Sequence, residues 1–320
     1  MPAQLARREF LAGMVAMTAA KAASRFVSPS DAGSPFRVSI INDEISQDFG
    51  HACEVASREF GMGWIELRGM WKKNIINLDE REVAEARRIL EKYQLKVTDI
   101  ASPLFKVDWP GAPKSKFSEA KSFGANFSLS QQDEVLERSL EMAKSFQTDR
   151  VRCFDFWRLE DQTPYRSSIN DKLREAVGKA AKKGILLVLE NEMSCNTATA
   201  VEAAKVLSAV QTPSFMLNWD PGNAAAAGET PYPDGYNPLP KERIGHCHCK
   251  DVVKKADKYD WAPMGAGIID WAGQFKALKR DGYHYAVSLE THWRGAGSPE
   301  ESSRQSWAGM KKLLQQADAL

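Results

Sequence analysis

From Phe36 onward the chain repeats one pattern eight times: a short apolar run, then a longer stretch whose apolar residues recur at helical spacing. The runs are Arg37–Ile45, Trp64–Arg68, Lys96–Ser102, Arg150–Phe156, Ile185–Glu190, Ser214–Trp219, Arg243–Lys250 and Tyr285–Glu290. Between them, Leu78–Tyr93 sets Val83, Ala86, Ile89 and Leu90 on one helical face. Asp133–Phe146, Lys172–Lys183, Thr199–Val210 and Trp271–Arg280 are further helical segments. Asp270 stands at an N-cap, and Gly184 and Gly282 stand where helices end. Eight strand–helix units predict an α/β fold, a parallel (β/α)8 TIM barrel, over residues 36–320. The alternative is an open doubly wound sheet. Asn42-Asp43-Glu44-Ile45-Ser46 follows the first strand in place of a glycine-rich phosphate turn and argues against it.

Ahead of the barrel, Arg7-Arg8-Glu9-Phe10-Leu11 precedes a mildly apolar run from Ala12 to Ala20 and an Ala20-Lys21-Ala22 end. Residues 1–24 therefore resemble a twin-arginine signal peptide, and residues 25–35 form a disordered Ser/Pro/Ala tether. The run falls short of the roughly 20 residues a membrane-spanning helix needs. The expectation is export of a folded protein to the periplasm or beyond, with no stable membrane association afterwards.

Charge is balanced, with 43 Lys and Arg against 42 Asp and Glu, so no global field draws nucleic acid or an anionic membrane. The five cysteines are odd in number and lack CxxC spacing, which argues against a disulfide framework. Two connections, Phe105–Gln132 and Ala224–Lys241, are too long for plain links and are expected to be lids or binding loops on the active face.

Chemistry concentrates at the carboxyl ends of the last four strands. The fifth ends in Glu190, the sixth in Asp220, the seventh carries His246 and His248, and the eighth ends in Glu290. Alternation puts His246, His248 and Lys250 on one face and turns Cys247 and Cys249 toward the helices, which excludes a zinc–thiolate site. Two Glu, one Asp and one His form a mixed oxygen and nitrogen site. It suits one Mn2+, Co2+, Mg2+ or Zn2+ ion and calls for no organic cofactor.

The pieces Leu189-Glu190-Asn191, Trp219-Asp220-Pro221-Gly222-Asn223, His246-Cys247-His248-Cys249-Lys250-Asp251, Gly265-Ala266-Gly267-Ile268-Ile269-Asp270-Trp271 and Ser288-Leu289-Glu290-Thr291-His292 resemble the xylose-isomerase-like barrel superfamily over about residues 36–314. The resemblance implies metal ligation by Glu190, Asp220, His248 and Glu290, with His248 chosen over His246 because its position matches the family's ligand. It also implies homodimers or homotetramers. The chain departs from ketose 3-epimerases at Asn223, where they carry histidine, and at Lys254, where they carry arginine.

A metal that chelates a carbonyl and its neighbouring hydroxyl favours an enediolate, and Glu190 and Glu290 are the expected bases. Glu192 and Lys250 are the alternatives if those two only ligate. Lys250, His246, Glu192 and Asn223 are candidate substrate or orienting groups, with His292 beside them. Glu66 and Arg68 are expected to form an internal ion pair. Trp71, Trp109, Trp157, Trp261 and Trp293 all follow strand ends, where their faces can stack on sugar rings. The Gly265-Ala266-Gly267 turn is read as helix entry, so an unphosphorylated carbohydrate is expected. The leading function is sugar isomerase or epimerase. A lyase or dehydratase acting on a 3-keto-glycoside uses the same site. An endonuclease IV-like nuclease needs more histidines than the five present, and a non-catalytic sugar-binding barrel needs no ligand set.

Overall fold

The computed structural model describes residues 33–118, 126–256 and 258–320; the expected export signal and nearly all of the expected tether lie outside the described residues. Eight parallel strands form a nearly closed barrel: β1 Arg37–Ile40, β2 Trp64–Leu67, β3 Lys96–Leu104, β4 Arg150–Cys153, β5 Leu186–Glu190, β6 Phe215–Trp219, β7 Ile244–Cys249 and β8 Ala286–Leu289. Each pairs with its sequence neighbour from β2 through β8, and β8 returns to β1. One parallel bridge, Ile41 to Glu66, spans the remaining β1–β2 seam. A helix follows every strand: α1 Phe49–Glu54, α2 Glu80–Lys92, α3 Gln132–Ser145, α4 Arg166–Lys182, α5 Ala200–Ala209, α6 Pro221–Ala226, α7 Trp271–Arg280 and α8 Pro299–Gln316. Among the described residues, no helix is long and apolar enough to cross a membrane.

Local chemistry sets these boundaries. Asp79 and Glu82 form a reciprocal capping box on α2, Thr199 and Glu202 do the same on α5, and Asp270 caps α7. Gly184 and Gly282 sit at φ +72° and +78°, the left-handed turn that ends a helix. Strand β5 packs as a continuous apolar run because sheet neighbours and helices cover both its faces.

Three expectations are corrected. The first strand stops at Ile40 rather than Ile45, because Asn42 turns inward, donating to the Gly69 carbonyl and accepting from the Arg68 amide. The Ala224–Lys241 connection is not structureless: α6 reaches Ala226, and Pro231–Gly235 forms a wide turn with Tyr232 extended inside it. Two hairpins went unforeseen, Gly69–Met70 with Lys73–Asn74 and Asp251–Lys255 with Lys258–Ala262. The second is half exposed and charged, and its alternation of Tyr259 and Trp261 with Lys258 and Asp260 runs over one five-residue strand only. Asp251 anchors it, its carboxylate accepting from the amides of Val252, Gly265 and Gly267 at 2.9, 3.0 and 3.1 Å. The 265–267 turn thus wraps a carboxylate of the chain itself.

Candidate metal centre

The barrel interior beneath its rim is charged where such barrels ordinarily stack branched apolar residues. Glu190, Asp220, His248 and Glu290, all buried, bring one ligand atom each within 4.8 Å of one another. Each is placed by its own strand. Glu190 ends β5, and Asp220 caps α6 by accepting from the Asn223 amide at 2.9 Å, which leaves its other oxygen facing the cluster. Asn191 staples β5 to β6, accepting from the Asp220 amide and donating to the Asp220 carbonyl, both at 2.8 Å. His248 lies on β7 and presents Nδ1 at 3.4 Å from Glu190, 3.3 Å from Glu290 and 3.7 Å from Asp220. Three carboxylates and one imidazole nitrogen are the donor set of a divalent cation, and the residues fit one.

Compensating charges surround the ligands. The Lys250 ammonium lies 2.6 Å from Asp220 Oδ2 and 2.5 Å from Glu290 Oε2, with only 2 % of its side chain exposed. Arg152 Nη1 sits 3.1 Å from Glu190 Oε2, at an angle that makes no hydrogen bond. Arg68 Nη1 donates to Glu290 Oε1 at 3.0 Å. Burial alone would raise both glutamates. Positive charge outweighs it, chiefly Arg152 for Glu190 and Lys250 for Glu290, and holds both below the usual carboxylate range. Asn223 Nδ2 faces Glu190 at 3.1 Å and Asp220 at 2.9 Å, joining two ligands.

The remaining expected residues divide. Glu192 accepts from Ser194 and pairs with Lys106 at 3.4 Å, beside the ligand set rather than in it. Trp261, on the charged hairpin, lies 5.2 Å from the Lys250 ammonium and 5.0 Å from the His292 ring, so it borders the site. Trp109 packs edge-on against Phe156 at 4.6 Å, and Trp293 is half-buried beside Gly295. Trp157 packs with Phe154 and Cys195, and Trp71 against Phe49, so these two serve packing. The expected Glu66–Arg68 pair does not form. Arg68 turns to Asp43, Glu44 and Glu290, and Glu66 turns to His248 and His246.

Sequence reasoning missed Arg152, Asn191 and Asn218 as parts of the site. Arg152 left a signal, since an arginine inside a buried strand needs a buried anion. Asp99 left none. It is buried, neither oxygen has a hydrogen bond, and burial followed by the nearby Glu66 charge pushes its carboxyl up to about 8. Its folded proton affinity exceeds the unfolded one, so Asp99 favours folding at low pH and progressively disfavours it as pH rises from 4 to 8. Asp99→Asn is expected to flatten that decline and to raise the melting temperature most near pH 8. Thermal unfolding of both chains between pH 4 and 8 checks this, and parallel curves would refute it.

No curated protein sequence matches the chain significantly. Several solved structures share its fold. The probable 3-DHS dehydratase AsbF from Bacillus anthracis is 20 % identical, with a TM-score of 0.65 over 87 % of this chain and 98 % of that one. A zinc-bound IOLI protein is 16 % identical, with a TM-score of 0.66 over 88 % and 98 %. A magnesium-bound barrel protein from Mycobacterium smegmatis is 16 % identical, with a TM-score of 0.65 over 90 % and 98 %. The family model for xylose isomerase-like TIM barrels matches residues 55–313, and the chain belongs to that family.

Proposed function

We propose that the protein is an exported, divalent-metal-dependent isomerase or epimerase of an unphosphorylated sugar or keto-sugar. The observation that carries this reading is the buried meeting of Glu190, Asp220, His248 and Glu290, which would hold the ion. When bound, such an ion withdraws electron density from a carbonyl and its adjacent hydroxyl and acidifies the hydrogen on the carbon between them. Glu190 on β5 and Glu290 after β8 approach the cluster with β6 and β7 between them, so each can take or return that proton from its own side. Lys250 neutralises the carboxylates and can hold a substrate oxygen, while Trp261 offers an aromatic face to a sugar ring. Related barrels crystallised with zinc or magnesium support the metal, without fixing which ion this chain takes.

Elimination of a β-hydroxyl is the second reading. It is favoured by the buried Lys250 ammonium, which can steady the charge on a leaving oxygen by a hydrogen bond, and by the likeness to a probable dehydratase. The test is a screen of free and 3-oxidised sugars with Mn2+, Co2+ or Mg2+ in D2O, followed by NMR. Deuterium entering a carbon-bound position of an otherwise intact sugar supports isomerisation, and an unsaturated product supports the lyase. No reaction with any metal-loaded sample counts against both.

A further inference from the structure

We infer that Glu66 is the positioning residue of the metal centre: across the barrel from β7 it accepts the Nε2 proton of His248 and so commits Nδ1 to the cation. This rests on the proposed ligation by His248. Glu66 Oε1 lies 3.0 Å from His248 Nε2, and both side chains are wholly buried. A carboxylate can only accept. With Nδ1 given to the cation the imidazole is neutral and carries one proton, so Nε2 donates and the Nδ1 lone pair points toward Glu190, Asp220 and Glu290. The other polar neighbour of Nε2 is Asn218. The Asn218 amide nitrogen, 3.2 Å from Nε2, is a donor, and the Asn218 oxygen is taken by His246 Nδ1 at 3.1 Å.

His246 packs beside the pair. It stands edge-on to His248, 5.3 Å away at 89°, and its Nε2 lies 3.5 Å from the second Glu66 oxygen without a hydrogen bond. The ring of His248 is therefore walled on one side and hydrogen-bonded at its far nitrogen. Glu66 is also the one charged residue of a strand reading Trp-Ile-Glu-Leu, and such a group is costly to bury without a task. Carboxylates that accept from a ligand histidine fix its tautomer, and losing one typically costs about 10- to 100-fold in metal affinity.

The experiment is isothermal titration of Zn2+ into the wild type, Glu66→Gln and Asp99→Asn, with the Co2+ absorption spectrum of each and circular dichroism as the fold control. Asp99 is a second buried carboxyl near Glu66 with no hydrogen bond to His248, so its variant controls for disturbing the barrel interior without touching that bond. The expected result is a dissociation constant raised about 10- to 100-fold and an altered Co2+ spectrum for Glu66→Gln, with Asp99→Asn within about threefold of wild type. Equal weakening by both variants, or Glu66→Gln binding like wild type, overturns the inference and leaves the four-ligand cluster standing. A wild type that binds no metal overturns the cluster as well. If Glu66→Gln does not fold, histidine-15N NMR of the zinc-loaded wild type decides. With five histidines in the chain the spectrum is readable. An Nε2-protonated, Nδ1-metallated His248 supports the inference, and the opposite tautomer overturns it.

Discussion

Glu290→Gln is expected to abolish metal-dependent exchange of the substrate's carbon-bound hydrogen, lowering its rate about 10²- to 10⁴-fold, the usual contribution of a positioned proton-transfer group. The amide keeps the shape of the side chain and removes both the negative charge and the proton acceptor. The barrel should survive, because the cations that Glu290 balances have other partners: Arg68 keeps Asp43 and Glu44, and Lys250 keeps Asp220. Measurement of deuterium uptake under saturating metal, beside a thermal melt, separates lost chemistry from lost structure. A folded variant exchanging hydrogen at the wild-type rate would remove Glu290 from the mechanism.

Gly309→Ala should lower the melting temperature by roughly 3–5 °C, the equivalent of about 2–3 kcal/mol of overpacking in a chain of this size. The sign makes the test sharp, since glycine to alanine inside a helix ordinarily stabilises by about 1 kcal/mol. Here a Cβ would stand 1.8 Å from the Met264 carbonyl oxygen, and backbone cannot swing aside as a side chain does. That contact seats α8 on the turn at Met264 and Gly265, the turn whose amides Asp251 holds. Calorimetry of the variant decides, and an unchanged or higher melting temperature would show that α8 is not seated this closely.

How far the sequence reaches depends on whether a residue's role follows from its own strand or from a distant one. All eight barrel strands and the side of the site were legible, because a doubly buried strand such as β5 must be apolar and a residue at its carboxyl end has one place to point. Asp270 as a cap was legible because capping is local. The pairing of Glu66 was not. It spans 182 residues to His248, and alternation along β2 suggested Arg68 instead. Asp43 and Glu44 drew Arg68 away only because the chain turns at Asn42, two residues after β1 ends. The charged hairpin carrying Trp261 escaped notice for a related reason: carboxylate–amide bonds from Asp251 help to hold it, and its alternating strand, Lys258–Ala262, is only five residues long.

Diffraction from crystals soaked in Zn2+, collected at the zinc absorption edge, tests the central claim most directly. The account predicts a single strong anomalous peak at the barrel's carboxyl rim, within about 2.3 Å of Glu190, Asp220, His248 Nδ1 and Glu290 oxygen or nitrogen atoms. A peak held by other residues, or none at full occupancy of added metal, would contradict it.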